Sequence, residues 1–146
     1  MKAKVTWQKE LQFVGMADSG YPVKLDSQSS PETGTGPMEM VAIALAGCTA
    51  MDVISILAKK KVDVTGFEVK VNADRAADHP KRFTKAGLEY VVHGHDVDEA
   101  SVRRAIELST TKYCSVHAML KDSFPIAIAY SIYENDKLVK EGTYKH

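Results

Sequence analysis

The chain has two cysteines, Cys48 and Cys114, and a pair of thiols supports either reversible disulfide chemistry or metal ligation. Cys114 opens the segment Cys114-Ser115-Val116-His117-Ala118-Met119-Leu120, which reads as a short helix. A thiol there faces free N–H groups and the positive end of the helix dipole, both of which favour the thiolate. Cys48 sits inside a long apolar run, where a small buried hydrophobe and a reactive thiol are both consistent with the sequence. The spacing Cys114-x-x-His117 is also compatible with a thiolate and imidazole metal site completed by Cys48. His93 and His95, two residues apart at the predicted end of a strand, are read as solvent-facing.

The element that must position Cys48 runs from Gly36 to Lys61, GPMEMVAIALAGCTAMDVISILAKKK. Gly36 can cap a helix, Pro37 suits the first helical position, and Glu39 places a carboxylate in the first turn where the dipole favours it. Lys59, Lys60 and Lys61 complement the other end, and Val62-Asp63-Val64-Thr65-Gly66 stops the helix. Between the ends only Glu39, Thr49, Asp52 and Ser55 interrupt apolar side chains, so the helix is expected to be buried all round. Glu39 and Asp52, with no flanking aromatic belt, argue against a membrane span.

Lys plus Arg and Asp plus Glu balance at 19 each, which argues against nucleic acid or an anionic membrane as partner. The N-terminal MKAKVTWQKELQ has no apolar core or cleavage signal for export, so a cytoplasmic setting is expected. The length suits one domain, residues 1–146.

Val5, Trp7, Leu11 and Phe13 alternate loosely as strand, turn and strand, and Tyr21 to Leu25 makes a third. Ser27 to Gly36 is a polar loop delivering the chain to the helix. Phe67 to Val71 and Ala86 to Val92 alternate as a hairpin joined through Asp78-His79-Pro80. Asp98 to Tyr113 carries Val102, Ala105, Ile106 and Ser109 on one face, an amphipathic surface helix. After the short helix at Cys114, Ile126 to Tyr133 and Leu138 to Tyr144 form a last hairpin about Glu134 to Lys137. The class is α+β, with antiparallel sheets around a long buried central helix. One sheet cannot cover such a helix on every side. A second subunit is therefore expected, and Ala42, Ala44, Ala46 and Gly47 would let its helix approach closely.

Gly36-Pro37-Met38-Glu39-Met40 through Ala46-Gly47-Cys48-Thr49, together with Lys112-Tyr113-Cys114-Ser115-Val116, closely resembles the OsmC/Ohr family of osmotically inducible and organic hydroperoxide resistance proteins. The likeness covers essentially the whole chain and is greatest to the OsmC-like branch. It implies an intertwined homodimer with central helices between two sheets and the cysteines near the dimer interface. It also implies a thiol-dependent peroxidase in which Cys48 attacks an organic hydroperoxide and Cys114 resolves the sulfenic acid as a disulfide. A dithiol, lipoyl-linked in some members, then reduces that bond, with no metal or organic cofactor. The alternative is an OsmC-like module that binds a small molecule and has lost efficient catalysis. Family peroxidases place an activating Glu directly after the helix-opening Pro and pair it with an N-terminal Arg. Here Met38 holds that position, and Glu39, the carboxylate assigned to the role, lies about 100° further round the helix. No arginine precedes Pro37, where the cations are Lys2, Lys4, Lys9 and Lys24; Arg75, Arg82 and His117 are the candidate substitutes.

Overall fold

The N-terminal alternation becomes β1 (Ala3–Lys9), β2 (Gln12–Ala17) and β3 (Pro22–Asp26), paired antiparallel in that order. This is a computed structural model, and it describes residues 1–144. Phe13 lies opposite Trp7 on one side and Leu25 on the other, so the apolar alternation sets the register across all three strands. The chain divides into two compact units, the first Met1–Ile43 and the second from Ala44 onward.

The polar loop after β3 folds back on itself: Ser30 and Thr33 share a side-chain hydrogen bond of 2.8 Å, and Ser30 N–H donates to Gly34 O. Gly34 has φ +139°, and a Cβ there would lie 2.6 Å from the Lys24 backbone, so only glycine fits. The long helix α1 (Pro37–Lys59) follows, and Glu39 reaches back to accept from Gly36 N–H at 2.8 Å and Thr35 Oγ1 at 2.9 Å. That is half of a capping box, with glycine at the cap. At the other end Val62 N–H donates to Leu57 O and Lys61 N–H to Ala58 O, with Lys61 at φ +58°. The helix therefore stops in a Schellman motif at Lys61, before the Val62–Gly66 segment that reads as its stop.

Burial along α1 differs from the all-round burial its composition predicts. Leu45, Thr49, Val53 and Leu57, each four residues on, form one buried stripe, while Ile43, Met51 and Ile54 are exposed. Four-residue spacing keeps side chains on one face, and a single chain covers only that face. By length and composition α1 could cross a bilayer; in the fold its stripe packs into the core of the second unit.

The second unit holds β4 (Asp63–Arg75), β5 (Phe83–His95), β6 (Ile126–Glu134) and β7 (Lys137–Tyr144), hydrogen-bonded in that order. The α+β class stands, but one pairing departs from an antiparallel sheet: β5 and β6 run parallel, with Leu88, Tyr90 and Val92 beside Ile128, Tyr130 and Ile132. The cause lies in the connection. Helix α2 (Glu99–Leu108), a wide π-helical turn (Ser109–Tyr113) and α3 (Ser115–Leu120) intervene, and a helical crossover returns the chain to the same end of the sheet. Those paired residues, the apolar face of α2 at Val102, Ala105 and Ile106, and the α1 side chains Leu45, Val53 and Leu57 make one buried core.

Candidate functional site

The α1 stripe carries Thr49 into the core beside two neighbours on the same helix, Cys48 and Asp52, both half-buried. Cys48 and Asp52 are one helical turn apart and so share a face. From the other side the crossover brings Cys114, which follows the wide turn and caps α3. The two sulfurs and an Asp52 carboxylate oxygen all lie within 4.8 Å of one another. The predicted thiol partners thus meet, although the chain between them contains the whole β4–β5 hairpin and α2.

The predicted thiolate character of Cys114 is not what its surroundings produce. Burial and the hydrogen bond to Cys48 push this thiol up to about 12, and the His117 N–H that donates to its sulfur at 3.3 Å pulls only partly back. Desolvation outweighs the cap because Cys114 is only 3 % exposed. The ionisable side chains acting on it, Cys48 and Asp52, are acids and raise it further.

A chain of hydroxyls leads to the same carboxylate. Ser109 Oγ donates to Asp52 Oδ2 at 2.9 Å, Thr49 Oγ1 lies 2.8 Å from Ser109 Oγ, and Tyr90 Oη lies 2.6 Å from Thr49 Oγ1. A hydroxyl has one proton to give, so Ser109, committed to Asp52, accepts from Thr49, and Thr49 accepts from Tyr90. Burial pushes the Tyr90 phenol up to about 12, in keeping with its place as the first donor. The chain orients the Asp52 carboxylate.

Sequence reasoning registered Thr49 and Asp52 as polar interruptions of α1, Asp52 also as an argument against a membrane span and Thr49 as part of the family motif, and Ser109 as part of an amphipathic face; it gave none of the three a place at the thiols. Their spacing held a signal: Asp52 stands one turn from Cys48 in a helix where acids are costly.

The other candidates have these surroundings. Glu39 takes its hydrogen bonds from Thr35 and Gly36, which with Ser29 hold its carboxyl below the ordinary range, Gly36 N–H contributing most. Arg75 donates to Lys81 O and Arg82 to Phe83 O, both within the β4–β5 hairpin. The cluster of possible metal-ligand atoms contains Cys48, Asp52 and Cys114 and not His117, which lines a separate cleft with Thr110, Lys121 and Asp122. His93 is half-buried and stacked on Tyr133 at 5.0 Å, whereas the exposed His95 faces Glu134 at 3.8 Å.

Comparison with known proteins agrees with this arrangement of helix, sheets and crossover. A family model described as OsmC-like protein matches residues 29–129. Protein YhfA of Escherichia coli strain K12 is 41% identical over 132 residues, covering 90% of this chain and 98% of its own. A crystal structure of a hypothetical protein from Aquifex aeolicus VF5 shares 29% identity at TM-score 0.82, covering 92% of this chain and 96% of that one. The organic hydroperoxide resistance protein OhrB of Bacillus subtilis has a similar fold at 16% identity, with TM-score 0.57 and 91% and 98% of the two chains covered.

Proposed function

The chain belongs to the OsmC-like protein family, and from that membership we propose that it is a thiol-dependent peroxidase that reduces organic hydroperoxides. The observation that supports the reading most directly is the approach of Cys48 and Cys114 to within 4.8 Å. In the first step the Cys48 thiolate attacks the terminal hydroperoxide oxygen, the O–O bond breaks, and the alkoxide leaves as alcohol after taking a proton. Cys48 is then a sulfenic acid. Cys114 attacks that sulfur, hydroxide leaves as water with the thiol proton, and a disulfide forms. An external dithiol returns both cysteines to thiols by exchange and is itself oxidised.

Cys48 is the better placed of the two to meet substrate, since it is half-buried where Cys114 is buried. Glu39 belongs to the reading as the residue that fixes the start of α1, through its bonds to Gly36 and Thr35. A homodimer completes it. A Cβ built at Gly47, next to Cys48, meets nothing within 4 Å in this chain, and Ile43, Met51 and Ile54 stand uncovered on the same helix. Sedimentation at micromolar concentration should give a dimer, and a monomer would remove that part of the reading.

A second reading, a small-molecule-binding member with little peroxidase activity, is favoured by one feature. Burial, with the hydrogen bond to Cys48 and the nearby Asp52 adding to it, holds Cys114 protonated, which slows attack on the sulfenic acid. Single-turnover oxidation by tert-butyl hydroperoxide separates the two. The peroxidase loses both thiols with one equivalent and gives a Cys48–Cys114 disulfide by peptide mapping; Cys48→Ser abolishes the reaction, and Cys114→Ser stops it at the sulfenic acid. Thiol loss that is absent, or unchanged in Cys48→Ser, rejects the enzyme.

A further inference from the structure

Cys48, Asp52 and Cys114 bring two sulfurs and a carboxylate oxygen together, all within 4.8 Å of one another, from one turn of α1 and the junction between the wide turn and α3. From this convergence we propose that the reduced protein binds one divalent thiophilic cation of the zinc class through Cys48 Sγ, Cys114 Sγ and an Asp52 carboxylate oxygen.

The donor set selects the ion. Two sulfurs disfavour magnesium and calcium, while the carboxylate suits a divalent zinc-type ion better than a monovalent, purely sulfur-bound one. Sulfur ligands on a tetrahedral zinc, each about 2.3 Å from the metal, stand roughly 3.8 Å apart, a spacing that falls inside the 4.8 Å within which the ligand atoms already lie. Cys48 and Asp52 are presented at i and i+4, the spacing that sets two ligands on one helix face.

The outer shell is also in place. His117 N–H donates to Cys114 Sγ at 3.3 Å, and the Asp52 carboxylate is held by Ser109, itself held by Thr49 and Tyr90. Hydrogen bonds of this kind orient metal ligands. Binding replaces two S–H bonds by two S–metal bonds, and both protons pass to solvent. Three protein ligands leave a fourth position open on a tetrahedral ion.

The test uses untagged, reduced, metal-free full chain titrated with zinc chloride alone. One zinc per chain should bind with a dissociation constant below about 1 μM. Calorimetry in buffers of different ionisation enthalpy should show two protons released per metal, and cobalt loading should produce sulfur-to-metal charge-transfer absorption. Cys48→Ser should abolish tight binding, the isosteric Asp52→Asn should weaken it at least tenfold, and Ser109→Ala should weaken it about 10–100-fold through the outer shell. Circular dichroism on each variant separates loss of ligand from loss of fold. Absence of stoichiometric binding overturns the proposal. So does binding that survives Cys48→Ser and Asp52→Asn together, since the ion would then sit elsewhere. No hydroperoxide enters the experiment, so this assignment and the peroxidase reading fail independently.

Discussion

The two sheets are made from similar alternating strands and end in opposite physical situations. Val5, Trp7 and Leu11, on β1 and its turn into β2, are 61 to 64 % exposed, and β1 is exposed along its whole length. On β5, Leu88, Tyr90 and Val92 are at most 1 % exposed, as the second unit supplies its own cover from α2 and the α1 stripe. Fully burying a Val or Leu side chain is worth about 1.5–3 kcal/mol, and β1 gains little of it within one chain. Alternation therefore shows that a strand has an apolar face, and leaves open whether its own chain covers that face.

The widest separation between the two regions is expected from truncation. Leu57→Ala, at the end of the buried stripe, should cost about 2–5 kcal/mol in denaturant unfolding. Leu11→Ala should stay within about 0.5 kcal/mol for isolated chains and act instead on dissociation of the proposed dimer, measured by dilution. Equal unfolding costs in dilute monomer would break the comparison.

Within the covered region the polar chain should be the next most sensitive feature. Thr49→Val leaves the Tyr90 and Ser109 hydroxyls short of a partner in the core, a loss of about 1–3 kcal/mol that Thr49→Ser should largely avoid. Identical behaviour of the two variants would mean that packing, and not the hydroxyl, matters at this position.

Alkaline titration sharpens the comparison further. Cys114 and Tyr90 are both raised in the folded chain, from ordinary values of 9.0 and 10.0 to about 12. Between those limits the unfolded chain has released protons that the folded chain keeps, so stability is full below about pH 9 and falls as pH rises toward 12. Melting temperature across that window should drop less steeply in Cys114→Ala than in the parent.

The smallest effect belongs to the first unit and lies on the acid side. Glu39 is held below its ordinary 4.5, so its stabilising bonds are present above that value and lost as pH falls through the lowered one. Glu39→Gln should flatten the low-pH end of the unfolding curve and leave the alkaline end unchanged.

Much of the architecture was legible because it rests on local rules. Gly36, Pro37 and Glu39 announced the start of α1, and the face Val102, Ala105, Ile106 and Ser109 is fully buried as its spacing predicted. The parallel β5–β6 pair was not legible, since strand direction depends on where a crossover lands. The end of α1 at Lys59–Lys61 was read correctly, but its left-handed cap was not: the residue at that position is usually glycine, and Lys61 gives no signal.

The sequence by itself determined the order of elements, the family likeness and the identity of the two thiols, because periodicity, caps and motif spacing act over a few residues. Tertiary structure alone decided that the thiols meet, that an Asp52 carboxylate stands with them, and that burial and acidic neighbours keep Cys114 protonated. Those facts depend on distances between segments far apart in the chain and on how much water the fold removes from them, neither of which spacing along the chain encodes.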